Sequence, residues 1–284
     1  MAQKDLHEAN RTSWNAATKQ HNTHKGDQAK WLREGGNTLY PEETELLGDV
    51  RGKTLVHLQC NSGQDTLSIA SHLGAEVTGV DISDEAIHFA QRLAQDSGIG
   101  GTFVRSDVYD WLDANTQQYD RVFASYGAII WLSDLKAWGA GVAQALKPGG
   151  SFVLVEFHPV YGLFEDDWAL TYDYMGGAHI AFDEGIGDYV AFSETALLPE
   201  GAPKPETPTW TNANPSHEFT WGLADIVMAL VNAGLRLDAL HEYPYSNGFK
   251  RFDGMRLVEG KRWIMPEGMP VIPLMYGIKA TKPA

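Results

Sequence analysis

Residues 53–81, KTLVHLQCNSGQDTLSIASHLGAEVTGVD, restrict the possible folds more than any other stretch of the chain. Thr54-Leu55-Val56-His57-Leu58 is an apolar run of strand length, and Gly63 allows a turn without a Cβ. Leu67, Ile69, Ala70 and Leu73 give the next segment a helical apolar face. Glu76-Val77-Thr78-Gly79-Val80 reads as a second strand that ends on Asp81. Strand, tight loop, helix and second strand make half of a nucleotide-binding βαβ unit. A loop that leaves a parallel strand and opens a helix points free backbone N–H groups, and the positive end of the helix dipole, at a ligand. Asp81 arrives at the same sheet edge, where a carboxylate can accept both hydroxyls of a ribose. The expectation is an adenosine-type ligand lying across the strand tips.

The loop narrows the choice of ligand. A nicotinamide dinucleotide, clamped through its pyrophosphate, requires G-x-G-x-x-G here. Gln59-Cys60-Asn61-Ser62-Gly63 holds one glycine and fails that rule. A ligand with a ribose and no phosphate needs no such cradle, which points towards S-adenosylmethionine.

Downstream, Ser83 is a good N-cap for a helix running to about Gln95, which Ser97-Gly98 ends. Thr102-Phe103-Val104 reads as a third strand leading into Ser106-Asp107-Val108, and residues 119–125 as a fourth with Tyr126-Gly127 at its tip. Ser133 or Asp134 caps a helix through Leu146. Lys147-Pro148-Gly149-Gly150 then turns the chain into a fifth strand, SFVLVEF, ending at His158-Pro159. Strands alternating with helices at this spacing predict a doubly wound, parallel α/β sheet.

Upstream, residues 4–20 carry Leu6, Ala9, Ala16 and Ala17 at helical spacings around Trp14, and Pro41 opens a short acidic helix over Glu42 to Leu47. Trp31, Leu39 and Tyr40 are apolar residues in a loop-like setting that suits a lid, so residues 1–50 form a predicted N-terminal lid. From 159 to 220 the strand–helix alternation stops, and prolines and glycines cluster with aromatics such as Tyr161, Trp168, Tyr174 and Trp210. Only Tyr189 to Thr195 alternates like a strand. So long an aromatic insertion predicts a substrate-binding cap after strand five. A helix over Leu223 to Asn232, ended by Gly234, then restores the pattern. It is followed by a strand over Arg236 to Tyr243, a polar hairpin and a last strand over Ile272 to Ala280. Residues 51–158 and 221–284 are thus the predicted cofactor-binding domain.

With 22 basic and 37 acidic residues the net charge is −15, a field that repels nucleic acid and anionic membrane surfaces. No apolar run has membrane-spanning length, and the polar start MAQKDLHEANRTSW has the form of neither a signal peptide nor an anchor. One cysteine, Cys60, cannot form an internal disulfide. The expectation is a soluble cytoplasmic protein. No His, Cys, Asp or Glu cluster has metal-ligand spacing, so no metal is expected.

Four motifs resemble the class I S-adenosylmethionine-dependent methyltransferases: HLQCNSGQD after the first strand, the acid ending GVD, the strand-three acid in FVRSDV, and LKPGGSFVLVEFHP. The likeness covers roughly residues 50–160 and again 221–280. The last motif discriminates most, because a Pro-Gly-Gly turn between the fourth helix and fifth strand is typical of that family and not needed in a dehydrogenase. The HLQC form is similar to a bacterial subgroup related to the ubiquinone-type small-molecule methyltransferases. The resemblance implies a Rossmann-like, mostly parallel seven-stranded sheet with an antiparallel last strand, and S-adenosylmethionine as cofactor. It places the cofactor against Gln59, Cys60, Asn61, Ser62, Gly63, Asp65, Thr66, Asp81, Ile82, Asp107, Val108 and Ser125. Asp107 would bond the adenine amino group, with an N-cap for the turn at Val108 as the alternative. Ser125 and Tyr126 would lie beside the sulfonium. Family members usually read acid-Leu-Gly-Cys-Gly-Thr-Gly in the first motif. Here His57 replaces the acid, and Gln59 and Asn61 replace the first two glycines. Those two side chains offer hydrogen bonds that glycine lacks, so the methionine end of the cofactor is expected to be held differently.

Methyl transfer displaces an already activated sulfonium, so alignment supplies most of the acceleration, and a base with pKa near neutrality helps where the acceptor carries a proton. His158, ending strand five, and His217, just before the last helix, are the histidines best placed for that role, with Tyr126 as a third catalytic candidate. His158 bonding its own loop and His217 capping a helix are the structural alternatives. Glu156 reads as a polar wall or a solvent-facing strand residue, Cys60 as a small buried loop residue, and Trp131 as core or wall. Trp14, with His21, either closes over the ligand or packs on the domain surface. The functional expectation is methyl transfer to a small aromatic or partly apolar molecule, on O, N or S, beneath the cap, and a homodimer is compatible with it. A relative that binds the cofactor without methylating, and a nicotinamide oxidoreductase, are the alternatives. A DNA aminomethylase is disfavoured because strand four ends Ala-Ser-Tyr-Gly and not in Asn-Pro-Pro-aromatic.

Overall fold

In a computed structural model, which describes residues 2–206 and 209–284, seven strands pair into one sheet. They are β1 (Thr54–Leu58), β2 (Glu76–Asp81), β3 (Thr102–Arg105), β4 (Tyr119–Ser125), β5 (Leu146–Phe157), β6 (Arg236–Tyr243) and β7 (Met275–Thr281). Their spatial order is β3-β2-β1-β4-β5-β7-β6, and β7 alone runs antiparallel to the other six. This is the doubly wound Rossmann-like sheet expected, with the antiparallel last strand. The order reverses between β1 and β4, and the tips of β1, β2 and β4 at that reversal face one crevice, where ligands bind in such sheets.

The helices are α1 (Lys4–Thr23), α2 (Gln28–Arg33), α3 (Pro41–Leu47), α4 (Gln64–Ser68), α5 (Asp84–Ser97), α6 (Val108–Ala114), α7 (Leu135–Ala145) and α8 (Leu223–Asn232), and α4 continues as a π-turn over Ile69–Leu73. Successive strand residues point to opposite faces, so a strand covered on both sides must be apolar at nearly every position. Val56, Leu58, Val122, Ala124, Phe152 and Leu154 feed a core with α6, α7 and α8, while Leu55, Phe123, Val153 and Val155 feed a second core with α3 and the π-turn.

Local signals set most boundaries. The Ser83 hydroxyl caps α5 by accepting from Ala86 N at 3.1 Å, and Gly98 closes it in the left-handed region at φ 73°. Asp134, and not Ser133, caps α7, accepting from Ala137 N at 2.9 Å. The helix stops at Ala145 because Leu146 already pairs with Tyr119 of β4. The last strand begins at Met275 and not at Ile272, since Pro273 has no N–H to give the ladder. Tyr189 to Thr195 is not a strand. Asp188 caps a single helical turn, Tyr189–Phe192, and accepts from Ala191 N at 3.2 Å.

Gly139 lets α7 and α8 cross closely: a Cβ there would stand 2.6 Å from the Ala229 carbonyl oxygen. Backbone cannot give way as a side-chain tip can. Gly139→Val is therefore expected to cost about 2 kcal/mol, the scale of overpacking a tight core, read as a lower midpoint in urea unfolding. An unchanged midpoint would mean that the helices slide apart freely.

Above the C-terminal strand tips, His179–Phe182 and Ser216–Phe219 form a two-stranded sheet, and Tyr245–Asn247, Arg256–Val258 and Arg262–Ile264 form a three-stranded one. Tyr161, Ala196, Phe252, Trp263, Met265 and Leu274 share one buried cluster. The hairpin after β6, polar in sequence, thus turns Trp263 and Met265 inward against the segment after β5.

Candidate active site

The tips of β1, β2, β4 and β5 open into a cavity of about 1460 Å³, walled by α1, the loops around α2 and α3, and the two-stranded sheet. That exceeds the room one drug-sized ligand takes. Of the residues expected to hold a cofactor, Trp14, Gln59, Cys60, Asn61, Asp65, Asp81, Ile82, Asp107, Val108 and Ser125 line it. Ser62, Gly63 and Thr66 shape the loop from behind. Ser62 Oγ donates to Asn61 Oδ1 at 2.9 Å, Gly63 starts α4 at φ 78°, and Thr66 Oγ1 meets His57 Nδ1 at 2.9 Å.

The loop after β1 keeps a glycine-like path without the glycines. Gln59 and Asn61 adopt φ 56° and 48°, the left-handed region that Gly63 also occupies. Asparagine tolerates that region and glutamine does so at a cost. The Gln59 side chain is anchored by Nε2 donating to Ala128 O at 2.8 Å, while its Oε1 is buried and has no partner among the described residues. An orphaned buried acceptor is costly unless a donor arrives. The imidazole that replaces the usual acid, His57, is buried between Thr66 Oγ1 and Ser125 Oγ (3.3 Å), and burial pushes its pKa down to about 3. It is neutral, and the negative charge that an acid would bring to this point is absent.

Two carboxylates mark the other half of the crevice. Asp81 accepts from Asn61 N and Ser83 N, both at 2.8 Å, which ties the two βα loops together, and burial pushes its pKa up to about 6. Each oxygen keeps lone pairs for a ligand. Asp107 makes the local bonds that were the alternative reading. Oδ1 accepts from Tyr109 N at 2.7 Å, capping α6, and Oδ2 meets His7 Nδ1 at 2.7 Å. Burial pushes its pKa up, but the bonds from His7 and the Tyr109 backbone outweigh that and leave it below the usual range. His7 Nε2 lies 2.8 Å from Ser133 Oγ, which explains how α1 is fastened over this edge.

At the tip of β4, Tyr126 takes a left-handed turn at φ 41°, and its hydroxyl accepts from Asn247 Nδ2 at 3.0 Å. Burial holds that phenol well above its usual range, in its protonated form. Glu156 is neither solvent-facing nor a plain wall. It is 3% exposed, and its carboxylate gathers the backbone N–H groups of Gly127, Ala128, Ile129 and Phe157. His158 reaches the cavity wall with its ring already engaged. Nδ1 accepts from Val160 N at 3.1 Å, capping the turn over Pro159–Leu163, and Nε2 stands 3.0 Å from Glu242 Oε1 without hydrogen-bond alignment. Burial lowers its pKa despite that neighbour.

His217 is not brought to the cavity. It sits on the outer face of its strand, with Nδ1 3.1 Å from His179 Nε2, and strand alternation turns Glu218 inward instead. Glu218 and Lys25 are among the charged groups of the cavity wall that sequence reading missed. Lys25 follows α1, lines the cavity opposite Asp65, and has its pKa pushed down to about 8 by burial. Nothing periodic marks a lone lysine in a loop, whereas the inward turn of Glu218 could have been read from the alternation of SHEF. Trp14 faces the cavity, edge-on to Trp131 at 5.5 Å and near His21 and Tyr189, so its ring belongs to the wall and not to the outer surface. Among the described residues, no group of three or more His, Cys, Asp or Glu is arranged to hold a metal, and no helix is long and apolar enough to cross a membrane.

Residues 56–150 match a family described as "Methyltransferase domain". The ubiquinone biosynthesis O-methyltransferase of Salmonella newport is 33% identical over 107 residues, which is 38% of this chain and 43% of that protein. The chain thus spans less than half the length of this curated relative. Similar solved structures include an S-adenosylmethionine-dependent methyltransferase from Mesorhizobium loti (TM-score 0.54, 19% identity, covering 87% of this chain and 99% of that one). A methyltransferase described in the same terms from Listeria monocytogenes has TM-score 0.55 and 16% identity, covering 86% and 96%. The matched segment contains most of β1, all of β2 to β4, the loop after β1, Asp81 and Asp107. Residues 56–150 are therefore similar to a methyltransferase domain, carried on a Rossmann-like α/β fold.

Proposed function

We propose that the whole protein transfers a methyl group from S-adenosylmethionine to a small molecule held between the sheet edge and a cap built on residues 159–220, with residues 1–50 as a lid. One observation carries this reading: a single cavity joins the Asp81–Asp107 edge, past the β4 tip, to an aromatic-walled space, with volume for two ligands. The residues present suit such a cofactor. Asp81 has lone pairs for two ribose hydroxyls, and Ile82 and Val108 offer apolar flanks to a purine beside Asp107. Gln59 Oε1 is the acceptor that awaits the methionine ammonium, and Lys25 is the cation for its carboxylate. This arrangement replaces the family's acid at position 57. The cofactor brings an activated methyl group; the chain aligns the acceptor and excludes water, with Trp14 and Trp131 walling the transfer region.

Titration calorimetry with S-adenosylmethionine and S-adenosylhomocysteine is the test. Saturable one-to-one binding of both is expected, and no heat at millimolar ligand would end the proposal. Lys25→Ala is expected to weaken both ligands by roughly tenfold, the worth of one charge-assisted hydrogen bond.

A further inference from the structure

The roof of the cavity contains a carboxylate that the fold does not use. Ser216–Phe219 pairs antiparallel with His179–Phe182, with Ile180 opposite Glu218 and Ser216 opposite Phe182, so these four side chains share the face turned to the cavity. The Glu218 carboxylate makes no hydrogen bond or ion pair with any described residue, and burial alone pushes its pKa up to about 7. No structural bond explains a carboxylate kept here at that cost. Its surroundings are aromatic. The Tyr172 ring lies 6.4 Å from Phe182, its hydroxyl donating to Glu165 at 2.7 Å, and Trp131 comes from the turn at the β4 tip that packs against the Glu218 strand.

The cations of the cavity wall are committed elsewhere. Lys250 lies over the Phe192 and Trp263 rings, beside Glu194, Arg251 pairs with Asp166, and Lys261 donates to the Leu198 carbonyl. Lys25 stands at the other end, near Asp65. A carboxylate with aromatic faces around it and no local cation is the chemistry that recognises an ammonium. An acceptor that became anionic on losing its proton would meet only like charge there.

Resting on the methyl-transfer reading above, we propose that the acceptor is an amine, bound as its ammonium by Glu218 and the rings of Trp131, Phe182 and Tyr172, with Glu218 as the base. The ammonium passes one proton to the Glu218 carboxylate. The lone pair freed on nitrogen forms the new N–C bond as the C–S bond breaks, and the breaking pair stays on sulfur, which leaves a methylammonium and a neutral thioether.

The test uses the full chain loaded with S-adenosylhomocysteine and a panel of aryl-alkyl amines with one to three rings, each matched by the alcohol and the carboxylate of the same skeleton. Calorimetry is expected to show at least one amine binding tenfold or more tighter than both of its partners. Glu218→Gln should remove that preference while S-adenosylhomocysteine affinity stays within twofold, which reports an intact fold. If no amine outbinds its matched partners, or if the preference survives Glu218→Gln, the proposal is overturned. Should the variant lose the homocysteine ligand through misfolding, wild-type selectivity alone decides. Failure of the methyl-transfer reading would show separately, as an unloadable wild-type chain whose amine selectivity is then measured without it.

Discussion

Replacing Glu156 with glutamine is expected to destabilise the protein by about 3 kcal/mol or more, although the change is one atom in size. The buried carboxylate accepts four backbone N–H bonds, two at each oxygen: Gly127 and Phe157 on Oε1, Ala128 and Ile129 on Oε2. An amide keeps one oxygen and turns an NH₂ towards the other two donors. Each stranded buried donor costs about 1–3 kcal/mol. The affected groups form the turn at the β4 tip, which carries Tyr126 and Trp131 into the cavity. A chemical denaturation curve reads the loss. Glu156→Gln should also weaken cofactor binding, since Gln59 is anchored on the Ala128 carbonyl of the same turn. If stability and binding are both untouched, the turn is held by its packing and the carboxylate is dispensable.

Asp81→Ala is expected to lower S-adenosylmethionine affinity by roughly 100-fold, about 3 kcal/mol, the value of two hydrogen bonds to a charged acceptor at the low end of their range. The side chain also ties Asn61 N to Ser83 N. Loss of that tie shows as a lower melting temperature and must be separated from lost ligand contact. Asp81→Asn serves for this, because it keeps one acceptor and the volume: affinity between wild type and alanine, with near-normal melting, assigns the loss to the ligand. Affinity equal to wild type in both variants would take Asp81 out of the site. Burial raises the pKa of the carboxyl to about 6. The ionised form is the better acceptor, so wild-type affinity should hold above that pH and fall as the solution is acidified through it. A flat profile from pH 7 to about 5 would contradict the assignment.

The parts of the fold legible in the sequence are those where local and tertiary demands coincide. The largely apolar runs of β1, β4 and β5 suit strands covered on both faces, and Ser83, by its hydroxyl, and Gly63 and Gly98, by their backbone geometry, mark helix boundaries. The error at Tyr189–Phe192 arose because a period of two over a few residues does not separate a strand from one helical turn. The Asp188 cap and the burial of Val190 and Ala191 decided it. In the site, Asp81 follows from its place at the end of β2, since strand order alone carries it to the crevice. His158 and His217 were proposed from their places in the chain, and neither position specifies what the ring touches.

Periodicity, caps and strand ends within short windows specify the sheet, its crevice and the acid that ends β2. Which polar groups lack partners follows from how distant parts of the chain pack. Gln59 Oε1 has none among the described residues, while Ala128, far along the chain, holds the other end of its amide. Glu218 and not His217 faces the cavity because the strand pairing with His179–Phe182 sets which side is inward. His57 is neutral because Thr66, Ser125 and the sheet close around it. Burial and satisfaction of a polar group are sums over neighbours distant in sequence, and those neighbours are assembled only when the chain folds.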